Sequence, residues 1–136
     1  MEFSLDRFRS AQAGSYDIAL QEIKTGRKQS HWMWYIFPQI LGLGHSTEAM
    51  YFAIQDKDEA VRYWNDPMLR SHMLEICQEL LKLNGSIDWI MGYPDNLKLR
   101  SSMTLFWLVT SESIFKAVLD KFYGGFLDEF TVNKIS

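Results

Sequence analysis

Residues 66–85 read DPMLRSHMLEICQELLKLNG, and their pattern decides the fold class. Leu69, Met73, Ile76, Leu80 and Leu83 recur at steps of four, three, four and three. That rhythm lines them along one face of a helix. Arg70, Glu75, Gln78, Glu79 and Lys82 take the other side. Asp66 is placed to cap the first turn, and Pro67 suits the first helical position because its missing N–H would have no partner there. Asn84-Gly85 accepts the left-handed backbone on which helices end. The spacing predicts a helix over 67–83.

Working outward, the same logic recurs. Ser15 is expected to cap a helix with Tyr16, Ala19, Leu20 and Ile23 facing inward, closed by Gly26. Asp56 and Glu59 form a capping-box pattern ahead of Ala60, Val61 and Trp64, and 47–55 reads as a separate short helix. Near the C-terminus, Ile114, Phe115, Val118, Leu119 and Phe122 form an apolar stripe stopped by Gly124-Gly125. Lys116 and Asp120 stand four apart on its outer side, where they can pair. No segment alternates apolar and polar residues between hairpin turns, and no repeat, low-complexity tract or long linker interrupts the chain. The expectation is an all-α fold in which residues 1–136 form a single domain, a compact bundle of about seven or eight helices.

Composition narrows the function classes. A hydrophobic share of 47%, with 15% aromatics, is ample for a packed core. A net charge of −3 argues against a general nucleic-acid or membrane-surface binder, which needs a basic face. The single cysteine, Cys77, lies in an amphipathic helix and reads as a small buried thiol. The opening residues MEFSLDRFRS lack the apolar segment of a signal peptide, and the greasy run 31–43 falls short of the ~20 residues a membrane helix needs. A cytoplasmic protein without membrane contact is the resulting expectation.

Two stretches depart from ordinary amphipathic helix. In 30–39, SHWMWYIFPQ, Ser30 is expected to cap a short helix that Pro38 ends. Its aromatic side chains exceed what one helix face buries, so part of that surface must meet a second element, a pocket or a partner. His31, Trp34 and Tyr35 share one side. The plainer reading makes the aromatics core, with His31 hydrogen-bonded at the edge. In 95–109, DNLKLRSSMTLFWLV, residues 103–109 are apolar almost all round and read as a central buried helix. The preceding turns carry Lys98, Arg100, Ser101, Ser102 and Thr104. Two cations, three hydroxyls and free backbone N–H groups at a helix start suit an anion, although cations there oppose the helix dipole. A structural Arg100 paired with an internal acid such as Asp120 is the competing reading.

Catalytic templates are missing. There is no G-x-S-x-G elbow, P-loop or G-x-G-x-x-G, and Gly42-Leu43-Gly44 has no strand before it. His31, His45, His72 and Cys77 lack metal-site spacing, so neither metal nor cofactor is expected.

The blocks SHWMWYIFPQILGLGHS, YFAIQDKDEAVRYWNDPML, PDNLKLRSSMTLFW and VLDKFYGG resemble a bacterial family called domain of unknown function eighteen-ten, over about Leu5 to Val132. The resemblance implies a small helical protein with no assigned activity. Some relatives carry the label "calpastatin". Composition gives that label no support, because calpastatin is a disordered repeat protein and this chain is rich in core residues.

The functional expectation is a site for an anionic, nucleotide-like or phosphorylated small molecule, with enzymatic action left open. Ser30, Trp32, Trp34, Lys98, Arg100, Ser101 and Ser102 would hold the ligand, and His31 would serve as acid or base. The alternative is a non-catalytic protein-interaction module, in which exposed Trp and Tyr act as anchors and a homodimer is one form. Nucleic acid is disfavoured, since stacking platforms work with a positive groove.

Overall fold

Helices α1 (Asp6–Lys24), α2 (Met33–Ile36), α3 (Thr47–Tyr51), α4 (Lys57–Asn65), α5 (Pro67–Leu81), α6 (Ile87–Met91), α7 (Asp95–Thr110), α8 (Ser113–Tyr123) and α9 (Glu129–Ile135) follow one another in a computed structural model that describes residues 4–135. Among those residues no strand forms, and Ile40 and Ile54 meet only as an isolated parallel bridge. The fold is all-α.

Local chemistry explains most boundaries. Asp66 accepts the Leu69 N–H at 3.0 Å, and α5 buries Leu69, Met73, Ile76, Cys77 and Leu80. It stops at Leu81, two residues short of the expected end, where Leu83 turns its N–H to the Leu80 carbonyl. The helix expected to begin at Ser15 instead runs from Asp6. Ser15 lies mid-helix because its hydroxyl folds back onto the Ala11 carbonyl at 2.7 Å, a bond that replaces capping. Asp56 caps α4 as expected, accepting from the Glu59 N–H at 2.8 Å. Glu59 reaches back past the cap, its carboxylate accepting from the Gln55 N–H at 3.0 Å while also holding Arg7. In α4, Ala60, Tyr63 and Trp64 are buried and Val61 is exposed. Lys116 and Asp120 pair at 2.7 Å on the surface of α8, which ends at Gly124 with φ +61°.

The core is an aromatic chain through four helices. Phe8 of α1 meets Tyr63 of α4 edge-on at 5.1 Å between ring centres, and Tyr63 meets Phe106 of α7 at 5.2 Å. Phe106 packs on Phe115 of α8 at 5.7 Å, and Phe115 returns to Trp64 at 5.1 Å. Residues 101–106 of α7 are all buried, since α4, α6, α8 and α9 surround it.

One buried ion pair joins α1 to this core. Arg7 donates to both Glu59 oxygens at 2.7 and 3.0 Å, and to the carbonyls of Ser4, Tyr51 and Ala53 at 2.8–2.9 Å. The side chains are 3% and 1% exposed, so neither charge has water as an alternative partner. Removing one member leaves the other charged and buried, a loss of about 3–5 kcal/mol. Glu59→Gln is therefore expected to lower folding stability by about that amount in urea titration. Arg7→Met should lower it further, because three carbonyls also lose their donor. A Glu59→Gln midpoint equal to wild type would contradict this account.

Candidate functional site

The aromatic block is positioned by a carboxylate the sequence did not single out. Glu22, near the end of α1, accepts from the Gln29 and Ser30 N–H groups at 2.7 and 2.9 Å, from Ser30 Oγ at 2.5 Å and from Trp32 Nε1 at 2.9 Å. Ser30 is thus spent on Glu22 and is not the cap of α2, which starts at Met33 with no side-chain cap. Desolvation alone would raise the Glu22 pKa. The donors from Ser30, Gln29 and Trp32 outweigh it and hold the group down at about 2. Lys28 adds to the clamp, donating to the Ser30 carbonyl at 2.6 Å with its ammonium 4.9 Å from the Trp32 ring centre.

Trp32 is a core residue, 1% exposed, and its one polar atom is satisfied by Glu22. Trp34 is half-buried and His31 exposed. The recess that Trp34 forms with Gln39, Gly44 and Phe52 has a volume of about 10 Å³, enough for a water and not for a ligand. The glycines of the adjoining turn serve packing. A Cβ at Gly44 would lie 2.6 Å from that of Ala49, and Gly42, at φ +114°, is covered by the Phe130 ring.

The second block meets the first through charge. Asp95, at the start of α7, pairs with Lys28 at 2.8 Å and more loosely with Lys98 at 3.6 Å. The Lys98 ammonium stands 5.9 Å from the Trp34 ring centre. Lys98 and Trp34 are therefore neighbours. The N–H groups of Asn96, Leu97 and Lys98, expected to be free, already donate to the Gly92 and Pro94 carbonyls, which removes them as an anion seat.

Arg100 goes elsewhere. Two helical steps turn a side chain by about 200°, so Lys98 and Arg100 leave α7 on opposite sides. Arg100 is half-buried with its Nε enclosed and without a hydrogen-bond partner. Asp120, the acid considered for it, is paired with Lys116. Its neighbour is Tyr123, whose hydroxyl donates to the Asn96 carbonyl at 2.5 Å. Burial pushes that phenol above its ordinary range, with Arg100 pulling it down and Asp88 adding to the rise. Ser101 is buried with its hydroxyl 3.3 Å from the Leu97 carbonyl. Ser102, one turn beyond Lys98 on the same side, is fully buried with no partner for its hydroxyl. Among the described residues no group of three or more His, Cys, Asp and Glu side chains could hold a metal ion, and no helix is long and apolar enough to cross a membrane.

Sequence reasoning missed Glu22, Lys28 and Asp95. Lys28 stands just before the first block and Asp95 opens the second, so a search for opposite charges at those edges could have paired the two. Glu22 offers no such signal, because one carboxylate on a helix surface looks like any other.

The arrangement is that of a small helical protein whose polar side chains hold a rigid aromatic corner. The family described as "Protein of unknown function (DUF1810)" matches residues 2–135, and the chain belongs to it. The crystal structure of the conserved hypothetical protein Rv1873 from Mycobacterium tuberculosis is similar, with 42% sequence identity and a TM-score of 0.95 over 98% of this chain and 96% of that one. No curated protein matches.

The Glu22 clamp has a pH signature. Its folded pKa of about 2 lies below the ordinary 4.5, so its stabilisation is complete above 4.5 and is lost as pH falls towards 2. Glu22→Gln should melt several degrees below wild type at neutral pH, from a loss on the order of 2 kcal/mol. The gap should close as pH drops through that window, which thermal unfolding at a series of pH values checks. A gap constant from pH ~7 to ~2.5 would contradict the clamp.

Proposed function

We propose that this protein binds a small anionic molecule, phosphorylated or nucleotide-like, on the corner where Trp34 and Lys98 adjoin. The observation that carries this reading is the division of Asp95 between two lysines. Lys28 holds the carboxylate at 2.8 Å and Lys98 only at 3.6 Å, so the Lys98 ammonium remains open to a competing anion. Beside it the half-buried Trp34 indole offers a flat face to a ring. His31 is exposed within the same block, where it would serve as acid or base toward a ligand. Ser30 and Trp32 act through the Glu22 clamp, by holding Trp34 in place. Ser102 supplies a spare buried hydroxyl one turn from Lys98. On this reading Arg100 contributes field and not contact, because it leaves the helix on the far side.

A second reading, self-association, draws on Tyr93 and Trp89, 82% and 59% exposed, and not on Trp32, which is buried. Sedimentation that stays monomeric at high concentration, in wild type as in Tyr93→Ser, would remove it.

Thermal melting against nucleotides, sugar phosphates and inorganic phosphate tests the first reading. A ligand at ~100 times its Kd stabilises by about 2.7 kcal/mol, a rise of several degrees for a domain this size. The rise should vanish in Lys98→Ala and in Trp34→Ala and persist in Arg100→Ala. Loss in Arg100→Ala alone would move the anion to the other side of α7, and no rise with any of these anions would end the proposal.

A further inference from the structure

A second polar constellation lies between α1 and α5, centred on Gln12 and His72, which belong to neither sequence block. Gln12 is 2% exposed and sits at its centre. One end of its amide is 2.7 Å from the Tyr35 carbonyl oxygen and 3.0 Å from the Tyr63 hydroxyl, and the other is 2.8 Å from His72 Nδ1. A carbonyl oxygen can only accept, so the end facing Tyr35 is the NH₂ group and the end facing His72 is the oxygen. An amide oxygen also can only accept, so His72 Nδ1 carries the proton. The backbone of α2 thereby dictates, through Gln12, which tautomer His72 adopts. In the neutral ring Nε2 is then a bare lone pair, and it has no hydrogen-bond partner among the described residues.

The ring is held in place as well as in tautomer. Tyr16 stacks on it, centres 3.6 Å apart and planes within 4°, and the Tyr16 hydroxyl is tied to Glu75 at 2.6 Å. Burial lowers the imidazole's pKa from its ordinary value, against the pull of Glu75 and Asp17, which favours the neutral ring.

His72 lines a pocket of about 290 Å³ shared with Gln12, Gly14, Ser15, Asp17 and Met68. Its size is at the lower end for small-molecule sites. Asp17 is exposed there, and no hydrogen bond or ion pair occupies its carboxylate among the described residues. Gly14 lies in the interior of α1, where glycine is less favourable than alanine, yet a Cβ built on it would meet nothing within 4 Å. The fold itself has no use for the missing side chain. What its absence provides is open backbone along the pocket wall.

We infer that this pocket is a binding site for a small organic ammonium ion, with an N–H of the ligand donating to His72 Nε2 and its charge set against Asp17. A fixed lone pair and a free carboxylate are both acceptors of such a cation, and the apolar wall of Gly14 and Met68 takes its alkyl chain. Gln12 is a positioning residue that acts through His72. The site is independent of the Trp34–Lys98 corner, and neither stands or falls with the other.

The test is nitrogen-15 NMR on the full-length protein, with butylammonium as probe and tetramethylammonium, which has the charge but no N–H, as control. Long-range spectra of His72 should show Nδ1 protonated and Nε2 bare. Butylammonium should then shift Nε2 and the Gly14 amide saturably, with tetramethylammonium about tenfold weaker. Asp17→Asn should weaken butylammonium about tenfold, and Gly14→Leu should abolish its effect while melting no lower than wild type. A protonated Nε2 overturns the proposal. So does a butylammonium response that fails to saturate, is matched by tetramethylammonium, or is unchanged in either variant.

Discussion

A buried guanidinium sets the terms for this fold. Arg7 is enclosed with Glu59 and is also bonded to the carbonyls of Ser4, Tyr51 and Ala53, so the first helix, the fourth helix and the turn before it can close only in one register. An apolar core tolerates small sliding between helices, because dispersion contacts are individually weak and non-directional. A buried bidentate ion pair does not, because a displaced charge has nowhere else to go. The aromatic chain from Phe8 through Tyr63, Phe106 and Phe115 packs around α1 in the position that Arg7 defines.

The first helix then acts as a polar spine. Along it Arg7 reaches α4, Gln12 reaches Tyr35, Tyr63 and His72, Tyr16 reaches Glu75, and Glu22 reaches the segment before α2. Together these side chains tie α1 to α2, α4 and α5 and to the segment before α2. Both candidate sites inherit their rigidity from it, one through the Glu22 clamp beneath the tryptophans and the other through the Gln12 amide behind His72. Preorganised polar groups of this kind favour binding because their ordering is completed during folding.

The amphipathic helices were legible because burial of one face imposes a period that survives in any sequence with such a helix. Residues 67–81 and 113–123 show it, whereas the buried run in α7 was legible because it is apolar on every side. Caps were legible where the partner is local, as with Asp66 and Asp56. They were misread at Ser15 and Ser30, whose hydroxyls have better-placed partners in Ala11 and Glu22. Tertiary competition decides such cases, and a hydroxyl in a sequence carries no mark of which partner it will meet. For the candidate site, the two unusual blocks were visible as excess aromatic and cationic residues. That Lys98 and Arg100 leave the helix on opposite sides also follows from their spacing, but treating the cations as one cluster hides it.

Sequence alone determined that this chain is helical, where α5, α7 and α8 lie and which two stretches break the pattern, because these properties rest on local periodicity and side-chain chemistry. Only the tertiary structure decided that Trp32 is core while Trp34 remains half-open, that Lys28 and Lys98 share Asp95, and that Gln12 presents its oxygen to His72. Each of those facts joins residues distant in sequence. Direction and distance in three dimensions, absent from any one-dimensional pattern, are what turn a polar side chain into a structural tie or into a group with a valence to spare.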